Sequence, residues 1–372
     1  MRFGPGPHIV WGPNATGKTS LLEAMVVLAW GHSHRTGSDA EMVRWGRDLA
    51  RLEGHIAGAG EDPSSLDVVL VPEGSALRKR IRVNGVPRRA TALLGVLRCV
   101  VFAPEEMQLI SGGPSLRRAA IDQLATQRSP ACGRALATYS RALRQRNGLL
   151  RAIREERAGR DELRFWTEAI LEAGAVILDE RLALLEALGG PLARAHREIA
   201  PDEAAGSGLA LRYDSNATAR AGESSREALQ RRLSETADKE IWNGSTLVGP
   251  HRDDVVFELD GRNLAGFASR GQQRTAILAL KLAELDLLAE LDGRPPLLLL
   301  DDVFSELDPA RRAHLVRRIA ALPQAFVTTT TMDDLDPELR AAASSWCVAG
   351  PPGAATLVGP VPAALAGERG PR

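Results

Sequence analysis

The stretch Gly12-Pro13-Asn14-Ala15-Thr16-Gly17-Lys18-Thr19 decides how the chain is read. It fits G-x-x-x-x-G-K-[ST], the phosphate-cradling loop. Its glycines allow a tight backbone whose N–H groups point inward at phosphate oxygens. Lys18 would reach the β/γ-phosphates, and the Thr19 hydroxyl would hold Mg²⁺. His8–Trp11 reads as a buried strand leading in, and Ser20–Leu28 as an apolar helix leading out, whose N-terminus favours anions. A chance match in a chain this long is on the order of 1%. Lysines are rare here (Lys18, Lys79, Lys239 and Lys281), so one at the position that needs a compact ammonium carries weight.

Outward from that loop, composition sets bounds. The 372 residues suggest two or three domains. Lys+Arg and Asp+Glu both number 47, so only local patches can argue for a polyanion. Cys99, Cys132 and Cys347 are far apart without C-x-x-C, which points away from disulfides or zinc and toward a cytoplasmic setting. No apolar run reaches about 18 residues, so no membrane span is expected. Only eleven residues precede the loop, where a P-loop sheet usually has strands. A start further upstream, or loss of an opening hairpin, is expected.

Past Gly31–Gly37, a polar loop, Asp39 reads as an N-cap for Ala40–Trp45. Leu49–Ile56, Leu66–Val71 and Ala76–Val83 read as an antiparallel meander, with Asn84-Gly85 a hairpin turn and Cys99–Phe102 a buried strand. From Pro114 to about Ala200, apolar residues keep a three/four spacing: Leu136, Tyr139, Leu143, Leu150, Ile153, then Leu163, Trp166, Ile170, Ile177, Leu184, Leu188. This predicts an antiparallel helical hairpin turning at Gly159, with Asp161 as an N-cap. Its arginines, Arg117 to Arg164, are read either as a solvated face or as a basic arm tracking a phosphate backbone. Pro201–Ser225 reads as a connector holding a strand at Leu209–Tyr213, and Arg226–Trp242 as a polar helix. The tail after Gly350 reads as loose, apart from a strand at Thr356–Val358.

The run Pro295–Leu300 ends in Asp301-Asp302, the Walker B pattern. Asp301 would hold Mg²⁺ through water, and Asp302 would orient or deprotonate the attacking water. Upstream, Ser269-Arg270-Gly271-Gln272-Gln273-Arg274 opens a helical run, Thr275–Leu291. It resembles the ABC signature, in which Ser269, Gly271 and Gln272 at a helix start would bind a γ-phosphate. In ABC-type ATPases that phosphate belongs to ATP on the other subunit, and Ser305–Asp308 resembles the D-loop of that interface. Ala325–Thr331 offers only hydroxyls where such ATPases often carry a switch histidine, which fits a weak hydrolase. Gln108 reads as a surface residue near a Q-loop position, and no role is assigned to His251 or Arg252.

The order of these elements resembles the SMC-like branch of ABC ATPases. Further pieces resemble the RecF family: Ser33–Thr36, Val43–Gly46, Arg82–Pro87, Phe102–Met107, Gly112–Asp122, Gly249–Asp254 and Leu299–Asp308. The resemblance runs from Gly12 to about Asp334. It implies an α/β P-loop ABC-type (SMC-like) ATPase head with an antiparallel β subdomain and an inserted α-helical lobe. The expected divisions are 1–113 and 246–350 for the ATPase lobe, 114–245 for the helical lobe and connector, and 351–372 for the tail. It also implies an ATP-dependent homodimer around double-stranded DNA near single-strand gaps. The resemblance further implies that such a clamp acts with RecO and RecR to help load RecA, with slow hydrolysis resetting it. The family's usual phosphate loop has Gly where this chain has Ala15, so a left-handed backbone there costs about 1 kcal/mol. A transporter ATPase subunit, a nucleotide kinase and a nucleotide-binding clamp without turnover are the rival readings.

Overall fold

A computed structural model describes residues 1–57, 64–73, 76–201, 208–350 and 356–361. In chain order, β1 (Gly6–Trp11) and α1 (Lys18–Trp30) flank the phosphate loop. β2 (Ala50–Ile56), β3 (Ser64–Glu73), β4 (Ala76–Val83) and β5 (Val86–Arg88) form the meander, and β6 (Cys99–Phe102) follows. The helices α2 (Gln108–Ser111), α3 (Pro114–Arg128), α4 (Pro130–Arg154) and α5 (Leu163–Ile199) come next. Then come β7 (Leu209–Asp214), α6 (Ser225–Asn243), β8 (Asp254–Leu259), β9 (Arg262–Asn263) and α7 (Leu264–Phe267). The last elements are α8 (Arg270–Glu290), β10 (Leu297–Asp301), α9 (Pro309–Ala320), β11 (Gln324–Thr329), α10 (Pro337–Ala342), β12 (Ser344–Ala349) and β13 (Thr356–Val361). None of the described helices is long and apolar enough to cross a membrane.

The chain divides into two units. The first joins Met1–Met107, Ala195–Pro201 and Arg274–Arg372; the second joins Gln108–Arg194 and Asp202–Gln273.

In the first unit a six-stranded sheet runs β13-β12-β1-β11-β10-β6, parallel except at β13. Parallel strands covered on both faces need unbroken apolar runs, which Leu297–Leu300 and Cys99–Phe102 supply. The meander forms a separate antiparallel sheet, β2-β3-β4-β5. Helix α1 lacks a polar stripe because two sheets claim it. Leu22, Val26 and Ala29 enter the core of the six-stranded sheet, and Val27 enters that of the meander. Asn84 and Gly85 have φ of 52° and 76°, the paired left-handed values of a two-residue hairpin turn.

In the second unit the two apolar seams of the expected hairpin meet. Tyr139 and Ala142 of α4 pack with Ile170 and Ile177 of α5. The arrangement is larger than a hairpin. Ser129-Pro130 breaks the run so that α3 stands apart, because proline offers no N–H to continue a helix. The polar-looking α6 puts Leu229 and Leu233 into the same core.

Two expected caps are corrected. Asp39 lies inside a short 3-10 turn, Asp39–Met42, that begins at Ser38, and its carboxylate pairs with Lys79 instead. Asp161 also lies inside a 3-10 turn, Arg160–Glu162, where Glu162 accepts from the Gly159 amide at 2.8 Å. At the first turn a longer-range partner outcompetes local capping; at the second the cap falls two residues earlier, at Gly159, where Glu162 closes it. The loose tail lies largely outside the described residues, as does 202–207 of the connector.

The second unit also explains His251 and most of the arginines. His251 Nε2 donates to the Thr246 carbonyl (3.2 Å), which leaves Nδ1 to accept from the Tyr139 hydroxyl (2.7 Å). Gly249 has φ +132°, and a Cβ there would lie 2.3 Å from that hydroxyl, so only glycine fits. Arg252 reaches the same Thr246 carbonyl. Arg146 is buried against Glu240, Thr246 and Thr167. Arg117 holds Asp254 through two bonds of 2.8 Å, Arg118 donates to the Asp253 carbonyl, and Arg160 pairs with Asp238. Arg181, outside the arm set, is buried against Asp122, Tyr213 and Pro250. The expected basic arm therefore spends much of its charge internally. Arg134, Arg141, Arg151 and Arg164 stay exposed.

Burial lowers the His251 pKa to about 4, and the neighbouring Arg252, Arg118 and Arg146 push the same way. The folded value lies below the unfolded one, about 6.5, so this stability is complete above pH 6.5 and is lost as pH falls toward 4. The expected loss is about 3 kcal/mol. Thermal unfolding followed from pH 7 to 4.5 should fall steeply for the parent and less so for His251→Gln; parallel curves would refute it.

Candidate nucleotide site

The loop after β1 is built for close approach. Gly12 has φ +151°, and a Cβ there would sit 2.5 Å from the Val348 carbonyl oxygen of β12. Gly17 has φ +99° and ends the loop as the left-handed N-cap of α1. Between them Ala15 adopts φ 63°, the strained left-handed conformation anticipated from the sequence. Pro13, Asn14, Ala15 and Gly17 are exposed, so the loop's outer face is open to a ligand. The Thr16 hydroxyl donates to the Pro13 carbonyl at 2.8 Å and braces the turn.

Lys18 is buried and folds back over the loop. Its Nζ donates to the carbonyls of Gly12 (2.7 Å) and Pro13 (2.9 Å). Burial lowers its pKa, while Asp302 and Asp301 oppose that shift. Two carbonyl oxygens hold the ammonium where phosphate oxygens, the stronger charged acceptors, could take it over.

Asp301 ends β10, one strand removed from β1, with β11 between them. Register places Thr328 of β11 directly between Val10 and Asp301. Thr19 Oγ1 donates to Asp301 Oδ1 at 3.1 Å, and Thr328 Oγ1 donates to the same oxygen at 2.6 Å. The Asp302 amide donates back to Thr328 Oγ1 at 3.0 Å, and Asp302 itself has φ 53°. Thr19 and Asp301 thus present a hydroxyl and a carboxylate to one point, a hard oxygen set that suits Mg²⁺ completed by water and phosphate. Among the described residues no cluster of three or more His, Cys, Asp or Glu could form an all-protein metal cage.

The structure therefore brings Gly12–Thr19, Asp301 and Asp302 together in the first unit. Thr328 was missed as a site residue: the sequence signals a hydroxyl run, but only strand register shows which hydroxyl meets Asp301. The signature residues belong to the second unit, where α8 begins. The Ser269 hydroxyl accepts from the Gln272 amide (3.2 Å), and Gln272 Oε1 accepts from the Ser269 amide (3.0 Å), a reciprocal capping box. Ser269, Arg270 and Gly271 are exposed, and a Cβ on Gly271 would come no nearer than 3.7 Å to the Ser269 hydroxyl. The helix start is thus preorganised and faces solvent. Gln108 opens α2 and is exposed.

Behind the signature, α8 is anchored in the first unit. Lys281 is buried and pairs with Glu106 at 2.6 Å and with Glu284 at 3.2 Å. Arg311, from the helix that follows Ser305–Asp308, donates to Thr275 Oγ1 at 2.8 Å, while the Asp308 carboxylate caps α9.

No family model matches the chain. It is 39% identical over 342 residues to the DNA replication and repair protein RecF of Moorella thermoacetica, covering 92% of this chain and 88% of that one. It is 40% identical over 342 residues to RecF of Symbiobacterium thermophilum, covering 90% and 88%. Among solved structures, it is similar to that of the recombination mediator protein RecF-ATP in the RecFOR pathway. The TM-score is 0.85 and the identity 31%, over 96% of this chain and 93% of the other. An Smc head domain from Pyrococcus furiosus shares the fold at TM-score 0.50 and 16% identity, over 95% and 89%.

Thr328→Val would leave the Asp302 amide without its acceptor and Asp301 with only Thr19 as a side-chain donor. The expected loss is about 1–3 kcal/mol of stability, together with weaker ATP binding. Thr328→Ser should restore both. Thermal denaturation and equilibrium nucleotide binding check this, and an unchanged Thr328→Val protein would contradict it.

Proposed function

The chain belongs to the RecF family of DNA replication and repair proteins, and from that premise we propose that it is an ATP-gated DNA clamp. Membership removes the transporter-subunit and nucleotide-kinase readings. One observation carries the proposal: an open phosphate loop tied to Asp301 coexists with an exposed, precapped signature helix start.

Two copies would sandwich two ATP molecules. Gly12, Pro13, Asn14, Ala15, Thr16, Gly17, Lys18, Thr19 and Asp301 of one copy would meet Ser269, Gly271 and Gln272 of the other. Lys18 would exchange its two carbonyls for phosphate oxygens. The Ser269 hydroxyl already accepts an N–H, so its proton is free to turn toward a γ-phosphate. Thr19 and Asp301 would hold Mg²⁺, which, when bound, neutralises charge on the β- and γ-phosphates. Asp302 would orient the attacking water. No histidine follows β11 to assist it, which favours slow turnover.

Closed around double-stranded DNA near a single-strand gap, such a dimer would act in the cytoplasm with RecO and RecR to help load RecA. Contacts would go mainly to phosphate and show little sequence preference.

Duplex DNA binding should be strong with ATP, weak with ADP, and weak for Lys18→Ala under either nucleotide. Ser269→Arg should still bind ATP through its own loop yet fail to dimerise in sedimentation. Equal DNA binding in every state of the first experiment would reject ATP gating.

A further inference from the structure

We infer that the outer face of β4, with Arg80 and Arg82 at its centre, is a contact surface for the phosphate backbone of duplex DNA. This rests on the clamp reading and deepens it by naming a surface that the arm arginines, largely paired internally, do not supply.

The first observation is a local charge imbalance in a neutral chain. From Ser75 to Pro104 there is no Asp or Glu, while Arg78, Lys79, Arg80, Arg82, Arg88, Arg89 and Arg98 all fall in that stretch. Strand alternation then sorts them. Leu77, Lys79 and Ile81 point toward the meander's core side, where Lys79 pairs with Asp39. Arg78, Arg80 and Arg82 point outward and are exposed. Neighbours on one face of a strand stand about 6.7 Å apart, so these three form a straight cationic row.

The second observation is that the centre of the row, Arg80 and Arg82, is not neutralised. Arg78 reaches Glu73 at 3.6 Å. Arg82 lies opposite Asp67 in the register, but Asp67 is already held by Arg51 through bonds of 3.0 and 3.3 Å. Arg80 lies opposite Val69. Among the described residues, the side chains of Arg80, Arg82, Arg88 and Arg89 make no ion pair or hydrogen bond.

The face also lacks what a protein partner would want. Its outward β3 residues Val69 and Val71 are half-buried, and no exposed aromatic stands on β2 to β5. Protein hot spots center on buried aromatic anchors, whereas a phosphate backbone needs only a row of guanidinium groups. A rival account makes the arginines simple guards of a sheet edge, which would require no ligand.

The test compares Arg80→Gln/Arg82→Gln with the parent. Affinity for a duplex is measured against salt in ATP, beside ATP-driven dimerisation. Losing two phosphate contacts per copy should make the log–log salt slope shallower by about 1.8, and weaken binding about 30-fold near ~0.15 M salt, for each copy whose face engages the duplex, at about 0.9 per contact. Dimerisation should be unchanged, since neither residue touches the nucleotide loop. An Arg141→Gln/Arg144→Gln variant of α4 should change the slope less. If the β4 variant keeps the parent's slope and affinity, or if the α4 variant alone accounts for the loss, the assignment is wrong though the clamp stands. If the parent shows no ATP-dependent duplex binding, the clamp reading fails and takes this surface with it.

Discussion

The hydroxyl of Thr328 is the point on which the nucleotide site depends. It donates to Asp301 and accepts from the amide of Asp302, so one oxygen sets both the direction of a carboxylate and the strained backbone of the next residue. Thr19, at the start of α1, reaches the same Asp301 oxygen from the other side. Three segments far apart in sequence thereby converge through side chains of three or four heavy atoms. Such short side chains have few rotamers to lose, and the group is largely buried. The parallel sheet makes this possible, since β1, β11 and β10 lie side by side with their C-terminal ends at one edge.

Helix α8 shows a second use of buried polarity. Its N-terminal tip carries the signature residues, and its body carries Lys281 between two glutamates. Burial pushes the Glu284 carboxyl up to about 7. A buried ion pair of this kind is a poor source of net stability, because desolvation offsets most of the attraction. Lys281 ties α8 to the segment after β6, and Arg311 ties it to the helix after Walker B. Both anchors lie next to elements of the nucleotide site.

How much could be read beforehand follows the range of the forces involved. The phosphate loop, the apolar β10 and the Asn84-Gly85 turn are set by their own residues, and they were legible. Ala15 was legible even in its strain, because the motif dictates the backbone whatever side chain occupies it. Asp39 misled because a cap is a local preference worth about 1 kcal/mol, and Lys79 forty residues away displaces it; Asp161 misled because the cap falls at Gly159, closed by Glu162. Thr328 was illegible for the converse reason: four threonines in a row look alike until a neighbouring strand selects one. Helix α6 looked solvent-facing because two leucines among many charges suffice to seat it in a core made by others.

Charge shows most clearly why counting is not enough. The chain is neutral overall, and its richest arginine region, the helical one, is where the structure consumes guanidinium groups as internal fasteners. Arg117, Arg118, Arg146 and Arg160 are each matched there by a carboxylate or a carbonyl from a partner element, so their charge is spent on architecture before any ligand arrives. In the meander the situation is reversed. The strands pair through their backbones and bury one face of aliphatic residues, so the fold makes no demand on the outward side chains of β4. Charges that a fold does not need can remain solvated without a stability cost, and they stay available to an external polyanion. The surface most able to attract phosphate is therefore the one whose basic residues contribute least to holding the molecule together.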